Sequence, residues 1–252
     1  MGNKASQYTR LDTGRTNLSR GYGGESDITL GAIHSFGMLY ANQGKLDEAE
    51  KMYKHVLEGY LKALSPDHLS TLATVNNLGV LYANQGKLGK AEKMYKHVLE
   101  GYEKALGPDH SLTLGTVGNL GALYANQGKL GEAEKMYKHV LEGYEKALDP
   151  DHSLTLSTVG NLGILYVDQG KLGEAEKMYQ RALEGYEKVG RPNVILSYTP
   201  APNTAYWLGV LYENQGRLTD AKLMCERALG GYKTIYGTSI AGTKPLRSDL
   251  GF

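Results

Sequence analysis

Histidine is the side chain of this sequence best suited to metal binding or to acid–base catalysis at neutral pH. The chain has seven histidines. Six of them occupy two positions that recur every 42 residues: His55, His97 and His139, and His68, His110 and His152. Because successive copies fall in successive units of a repeat, they do not form a ligand cluster. We therefore predict that these histidines are structural and that the chain binds no metal.

Other catalytic patterns are absent from the sequence. It contains no HExxH, paired CxxC or GxSxG motif. The segment 237–244 resembles a phosphate-binding loop, but Thr243 stands where lysine is required, and a helix rather than a strand precedes it. We predict a protein that is not an enzyme and that needs no cofactor. An enzyme of unknown type that uses the repeats as a support is the weaker alternative.

Composition narrows the classes of partner and compartment. The formal net charge is +1, so the chain lacks the electrostatic footprint of a nucleic-acid-binding protein. The single cysteine, Cys225, falls on an expected core position and excludes a disulfide framework. No apolar run reaches the ~18 residues of a membrane span, and the first 25 residues lack the apolar region of a secretory signal. These features predict a cytoplasmic protein.

The sequence is organised around one repeated unit. Residues 77–110 return as residues 119–152 with three changes. Looser copies centre on Gly37, Gly163 and Gly209; the first four copies are spaced by 42 residues and the last by 46. A fixed period of this size indicates a stacked array, in which no unit can bury its apolar face alone.

Each unit carries two helical patterns joined by a turn. In the second copy the first pattern has helical spacing at Val75, Leu78, Gly79 and Tyr82. Gly86 tolerates the positive φ that ends this helix, and Pro108 ends the second helix. A serine after Pro108-Asp109 is expected to cap the next helix. We predict an all-α fold, a right-handed solenoid of five antiparallel helix pairs.

Small residues indicate the type of helix pair. A glycine of the first helix and an alanine of the second are expected at the closest approach, with an aromatic ring beside them. The matches are Gly37, Ala49 and Tyr53; Gly79, Ala91 and Tyr95; Gly121, Ala133 and Tyr137; Gly163, Ala175 and Tyr179; and Gly209, Ala221 and Cys225. This is the tetratricopeptide signature. The elongated form, with YANQGKL followed by ALGPDH, closely resembles the kinesin light chain type and is similar to the repeat arrays of fungal nucleotide-binding sensor proteins.

The pattern divides the chain into an array and two flanking segments. The array is predicted over residues 26–232, with units at about 26–68, 69–110, 111–152, 153–190 and 199–232. Three prolines between the fourth and fifth units predict a longer loop there. Residues 1–25 are polar and glycine-rich and are predicted to be disordered, and residues 233–252 form a mostly irregular tail.

The N-terminus fits a lipidation pattern. The residues Met1-Gly2-Asn3-Lys4-Ala5-Ser6 match the myristoylation motif, with Gly2 as the acylated residue. One acyl chain gives only weak membrane binding, and the basic residues that follow are dispersed rather than clustered. The pattern therefore predicts at most a weak membrane tether through Gly2, which mass spectrometry of the natural N-terminus would reveal.

The first helices carry the candidate binding residues. At about 100° per residue, the position two before each repeat glycine points away from the second helix. The predicted groove residues are Asn77, Asn119 and Asn161, two before the glycine; Val80, Ala122 and Ile164, one after it; and Asn42, Asn84, Asn126 and Asn214, five after it. Stacked units would align them in rows on a concave surface. The first helices of units two to four contain almost no charged residue, and Asp168 is the exception.

Asparagine amides both donate to and accept from a peptide backbone, and the small apolar residues between them would leave pockets for side chains. The resemblance implies that this concave surface is a peptide-binding groove in which Asn77, Asn119 and Asn161 hold the peptide backbone. It also implies that an acidic peptide terminus is not the ligand, because the surface has no Lys or Arg. The alternative is that these amides bond to neighbouring helices or to water within the stack.

We therefore predict a protein–protein interaction scaffold or adaptor that binds an extended peptide in a neutral, Asn-lined groove. The rival hypothesis is a sensing or self-association array that belongs to a larger fungal signalling ATPase. An upstream phosphate-binding-loop domain in the same reading frame would favour the rival.

Overall fold

The computed structural model describes residues 26–189 and 200–236 of the 252-residue chain. This part contains ten helices and no strand. In chain order they are α1 Asp27–Asn42, α2 Leu46–Ala63, α3 Leu69–Asn84, α4 Leu88–Leu106, α5 Ser111–Asn126, α6 Leu130–Ala147, α7 Ser153–Asp168, α8 Leu172–Val189, α9 Pro200–Asn214 and α10 Leu218–Tyr236. Consecutive helices pack as five pairs, and each pair packs on the next, so the predicted solenoid of helix pairs is confirmed.

A glycine in the left-handed region joins the two helices of every pair. These glycines, with φ between 72° and 75°, are Gly44, Gly86, Gly128, Gly170 and Gly216. After α3, the amide of Lys87 donates to the carbonyl of Tyr82 at 2.8 Å and the amide of Gly86 to that of Ala83 at 2.9 Å. The helix end is thereby capped by the backbone, which explains the recurring Asn-Gln-Gly turn.

The glycine–tyrosine contact that defines the repeat lies inside each of the first four pairs. A Cβ on Gly79 would lie 2.7 Å from Cε1 of Tyr95, and the same close approach joins Gly163 to Tyr179. Tyr95 is almost completely buried, and Ala91 beside it is fully buried. Only a glycine lets the first helix come so close to the ring, because an added Cβ would overlap it.

The fifth pair departs from this arrangement at Cys225. The sequence predicted a core position. The Cys225 Sγ does lie against Gly209, 2.9 Å from where a Cβ would stand, but the residue as a whole is exposed, so the predicted core position is wrong. The residue lies on α10, and no further helix of the described chain packs beyond α10 to cover it.

Histidine rather than serine caps three of the first helices. Nδ1 of His68, His110 and His152 accepts a hydrogen bond from the backbone amide two residues later, at 3.2 Å in each case. The predicted serine cap is thus wrong at these positions, since the helix begins directly after the histidine. Ser26 does cap α1. In each case Nδ1 is the acceptor nitrogen, so these imidazoles have a structural role at the start of a helix.

The pairs stack through two apolar positions of each first helix, the residue before the repeat glycine and the residue two after it. In the second to fifth units these stacking residues are at most 2% exposed: Leu78 and Leu81, Leu120 and Leu123, Leu162 and Leu165, and Leu208 and Leu211. They lie between their own second helix and the second helix of the preceding unit. Apolar burial of this kind is the main force that holds a solenoid together.

Each stacking interface also contains a carboxylate clamp, a glutamate of one unit that accepts hydrogen bonds from the next unit. Glu50 accepts from the Tyr82 hydroxyl at 3.0 Å and from Gln85 at 3.2 Å, and the Lys87 ammonium lies 3.8 Å away. Glu92 contacts Tyr124 and Gln127 in the same way, and Glu134 contacts Gln169 and Lys171. The clamps tie neighbouring units together by charge-assisted hydrogen bonds.

The clamp also bears on the Lys/Glu-rich second helices, whose opposite charges at i,i+4 are typical of a solvated outer face. Pairs at this spacing are present, at 2.7 Å for Glu134–Lys138 and 2.6 Å for Glu142–Lys146. Only the second pair lies on a solvated outer face. Glu134 is mostly buried at an interface, and its hydrogen bonds to Lys138 and to Gln169 lower its pKa to about 2. Glu50 has a pKa of about 2 for the same reason, with Lys54 as the main partner.

Candidate functional site

The structure forms a cavity of about 480 Å³ between the first helices of the third, fourth and fifth units, α5, α7 and α9. Four of the sequence-predicted groove residues line it, namely Asn119, Asn161, Ala122 and Ile164. Trp207, which occupies the position of these asparagines in the fifth unit, is also part of the wall. The structure therefore brings together two of the three predicted rows at one end of the array.

The other predicted residues lie elsewhere. Val80 is exposed on α3 and Asn77 is half-buried, and neither lines this cavity. The residues five after the repeat glycine end the first helices and are exposed; they are Asn42, Asn84, Asn126 and Asn214. None of these four lines the cavity.

Aromatic and aliphatic side chains surround the cavity. Tyr137 and Tyr179, the rings of the repeat signature, line it together with Tyr144 and Leu154. No Asp, Glu, Lys, Arg or His occurs among the lining residues. The site is thus an uncharged hollow in which apolar side chains are combined with neutral polar groups, a composition that suits uncharged ligand groups.

Two glycines keep the hollow open. Gly118 and Gly160 are interior residues of α5 and α7, where glycine costs about 1 kcal/mol relative to alanine. A Cβ on either residue would meet no atom within 4 Å. Close helix packing therefore does not explain them. Their effect is to leave free volume in the wall of the cavity.

The asparagine amides differ in what they contact. Asn77 Nδ2 lies 2.8 Å from His34 Nε2, and Asn119 Nδ2 donates to Asn76 Oδ1 at 3.2 Å. Both contacts cross from one unit to the preceding one. At Asn161 the corresponding residue of the preceding unit is Gly118, and the Asn161 side chain makes no hydrogen bond within the described residues. Burial lowers the pKa of His34, which favours the neutral ring that can accept from Asn77.

Sequence reasoning missed the row that decides this difference. Three residues before the repeat glycine stand His34, Asn76, Gly118, Gly160 and Tyr206. In the first two units this row supplies a polar partner for the next asparagine, and in the third and fourth it has no side chain. Comparing aligned units at this position would have pointed to Asn161 as the amide left free.

Beyond the cavity, no three His, Cys, Asp or Glu side chains of residues 26–189 and 200–236 are grouped so as to hold a metal ion. None of the ten described helices is long and apolar enough to cross a bilayer. The Gly2 motif, the predicted disordered segment 1–25, the loop before α9 and the end of the tail lie outside the described residues.

The structure is an α-helical solenoid of paired helices. In the first four pairs a glycine of the first helix packs against a tyrosine of the second beside a buried alanine, a contact called here the Gly–Ala–Tyr interlock. Tetratricopeptide repeat profiles match residues 29–104, 71–128 and 112–188, and a second profile of the same description matches residues 161–234. The chain therefore belongs to the tetratricopeptide repeat family. Proteins built from this repeat are in general scaffolds for protein interaction rather than catalysts.

Solved structures of the same fold include kinesin light chain-like proteins. BtubC (BKLC) from P. vanneervenii is 22% identical, with a TM-score of 0.65 and coverage of 86% of each chain. A kinesin light chain-type protein with nearly identical TPR-like repeats from Podospora anserina is 21% identical, with a TM-score of 0.63 and coverage of 84% of this chain and 99% of that one.

The Rap protein complexed with competence and sporulation factor is 14% identical, with a TM-score of 0.72, and the match covers 84% of this chain and 56% of that one. At these identities the similarities establish the fold alone. No curated protein sequence matches the chain.

Proposed function

We propose that the chain is a non-catalytic, cytoplasmic scaffold that binds an extended, uncharged peptide segment of a partner protein in the cavity between α5, α7 and α9. One observation carries the proposal: the uncharged cavity has at its wall an asparagine, Asn161, whose amide has no partner within the described chain. An amide left free in such a wall offers both a donor and an acceptor to a bound backbone.

The spacing of the wall suits an extended chain. Packed helices lie about 8–10 Å apart, and an extended peptide advances about 3.3 Å per residue. Neighbouring first helices would therefore meet about every third residue of the peptide. The Asn161 amide on α7 would hydrogen-bond one peptide group of the bound segment. Asn119 on α5 uses its Nδ2 to bond Asn76, so its Oδ1 would accept from a peptide N–H about three residues away.

The apolar wall supports a preference for large neutral side chains. Ile164, Leu154 and Trp207 surround the free volume that Gly118 and Gly160 leave. A bulky aliphatic or aromatic peptide side chain would fill it, and its burial would contribute about 1.5–3 kcal/mol. A charged side chain would lose its hydration there without gaining a counter-ion.

The test is selection of peptides from a random library on the immobilised full-length chain, followed by fluorescence polarisation with the selected sequences. We expect uncharged peptides with a large apolar residue, and a loss of affinity of about tenfold or more in Asn119→Ala/Asn161→Ala. Gly118→Asn is the sharper variant. Its side chain would fill the free volume and offer Asn161 the partner that Asn76 offers Asn119.

Asn126→Ala is the matched control, because this exposed asparagine of α5 does not line the cavity. It should bind the selected peptides as the unmodified chain does. Unchanged affinity in the double variant and in Gly118→Asn, with the helical circular dichroism intact, would exclude this cavity as the binding site.

A further inference from the structure

The first unit has the stacking surface of the later units but nothing covers it within the described chain. Its stacking residues, Phe36 and Leu39, are 57% and 50% exposed, whereas the equivalent residues of the second to fifth units are at most 2% exposed. α1 therefore presents an apolar face whose four counterparts in this molecule each pack against a second helix.

The same face carries a complete set of clamp donors without a carboxylate. Tyr40, Gln43 and Lys45 occupy the positions of Tyr82, Gln85 and Lys87, which surround Glu50. Lys45 lies 5.7 Å from the Tyr40 ring centre, much as Lys87 lies 5.3 Å from that of Tyr82. No described residue accepts a hydrogen bond from these three side chains. The three donors thus occupy the positions that surround a glutamate in the later units.

The other end of the array does not supply that glutamate. On α10, Lys222 stands where Glu50, Glu92, Glu134 and Glu176 stand in the earlier units, and Glu226 stands where Lys54 stands. In a head-to-tail contact between two copies, Lys222 would approach Lys45. Like charges brought together at a buried interface repel each other without a counter-ion, so a second copy of this chain is a poor occupant.

We propose that the face formed by Phe36, Leu39, Tyr40, Gln43 and Lys45 docks an amphipathic helix of a partner protein that presents a glutamate to the three donors. The second helices of this chain show the pattern that such a partner helix needs. Relative to the glutamate, an alanine stands one position before it, an aromatic residue three positions after it and a leucine seven positions after it. In α2 these are Ala49, Glu50, Tyr53 and Leu57, which pack against or beside the stacking residues of α3. This face is separate from the peptide cavity, and the proposal stands independently of it.

A synthetic peptide of the α4 sequence, residues 88–106, is a suitable probe because it contains this pattern around Glu92. Fluorescence anisotropy of the labelled peptide, titrated with the full-length chain, should show saturable binding. Phe36→Ser/Leu39→Ser should weaken binding by about tenfold or more, since both apolar contacts are lost. Both residues are exposed, so the fold should be retained.

Charge reversal tests the clamp itself. Lys45→Glu should weaken binding of the α4 peptide. A peptide that carries Glu92→Lys should bind the unmodified chain weakly and should bind the Lys45→Glu variant more tightly. Leu223→Ser, an exposed leucine of α10, and Asn119→Ala/Asn161→Ala in the cavity are the controls, and both should bind the probe normally.

Absence of saturable binding by the full-length chain would overturn the proposal, as would equal binding by Phe36→Ser/Leu39→Ser. Sedimentation velocity tests whether a second copy of the chain occupies the face. The chain alone would then associate as its concentration rises, and Phe36→Ser/Leu39→Ser would abolish the association. That result would contradict a glutamate-bearing partner helix.

Discussion

Gly79 and Gly118 are both interior glycines of a first helix, yet their surroundings differ. Tyr95 lies against Gly79 so closely that a Cβ would overlap its ring, whereas a Cβ on Gly118 would enter open space. The first glycine is required by packing inside a helix pair. The second is a cost to helix stability that packing does not repay, and it lines the candidate site.

Alanine substitution should therefore have opposite effects at these two positions. We expect Gly79→Ala to lower the free energy of unfolding by about 1–3 kcal/mol, because the ring or the helix must shift. Gly118→Ala should raise it by about 0.5–1 kcal/mol, because the helix gains propensity without a clash. Urea denaturation followed by circular dichroism measures both. A stabilised Gly79→Ala would contradict the interlock as described.

At this scale the sequence predicted the glycine–tyrosine contact, because its signature is local and recurs at a fixed spacing. It did not predict the histidine caps. His110 and Ser111 are adjacent, serine is the more common cap, and only the backbone conformation at the start of α5 decides between them. Nor did it predict which asparagine stays free, because that depends on a side chain of the neighbouring unit.

At the scale of helices, the carboxylate clamps convert a pattern typical of a solvated surface into contacts between units. Glu134 has the sequence context of an exposed i,i+4 partner of Lys138, and this pair is present. The same carboxylate also accepts from Gln169 and Lys171 of the next unit at 2.9 and 3.0 Å. The sequence could not show this second role, because it depends on the distance between stacked helices.

The clamp makes stability depend on pH. The folded-state pKa of Glu134, about 2, lies below its ordinary value of 4.5, so its contribution is fully present above about pH 4.5 and is lost as the pH falls toward 2. We expect Glu134→Gln to lower the urea midpoint at pH 7. The difference from the unmodified chain should shrink steadily between pH 4.5 and pH 2.

Glu142→Gln is the control for this prediction. Glu142 pairs with Lys146 at 2.6 Å, but both side chains are well exposed, so the pair contributes little. Its removal should leave the urea midpoint nearly unchanged at pH 7. If the two substitutions lowered the urea midpoint equally, the contacts of Glu134 with the next unit would contribute no more stability than an exposed surface ion pair does.

At the scale of the whole molecule, the 42-residue period makes the middle units interchangeable. Removing residues 111–152 joins His110 to Ser153, and so restores the junction His152-Ser153 of the original chain. α4 would then face α7 in place of the nearly identical α6. Asn76 would replace Gly118 as the neighbour of Asn161.

We expect this four-unit chain to fold, with a free energy of unfolding lower by a few kcal/mol, because one stacking interface and one unit are lost. It should also lose affinity for peptides that bind the cavity, because α5 is absent. Circular dichroism and urea denaturation test the first expectation. Removal of residues 111–131, half a period, is the control and should abolish cooperative unfolding, since it leaves an unpaired helix.

The polar contacts between stacked units link residues that are close along the chain. Tyr82 lies 32 positions from Glu50, Gln85 lies 35 positions from it, and Asn119 lies 43 positions from Asn76. Every such contact can form once a single further unit has been synthesised. The molecule can therefore fold during synthesis from its N-terminal end, because each new helix pair packs on the preceding pair, which is already folded.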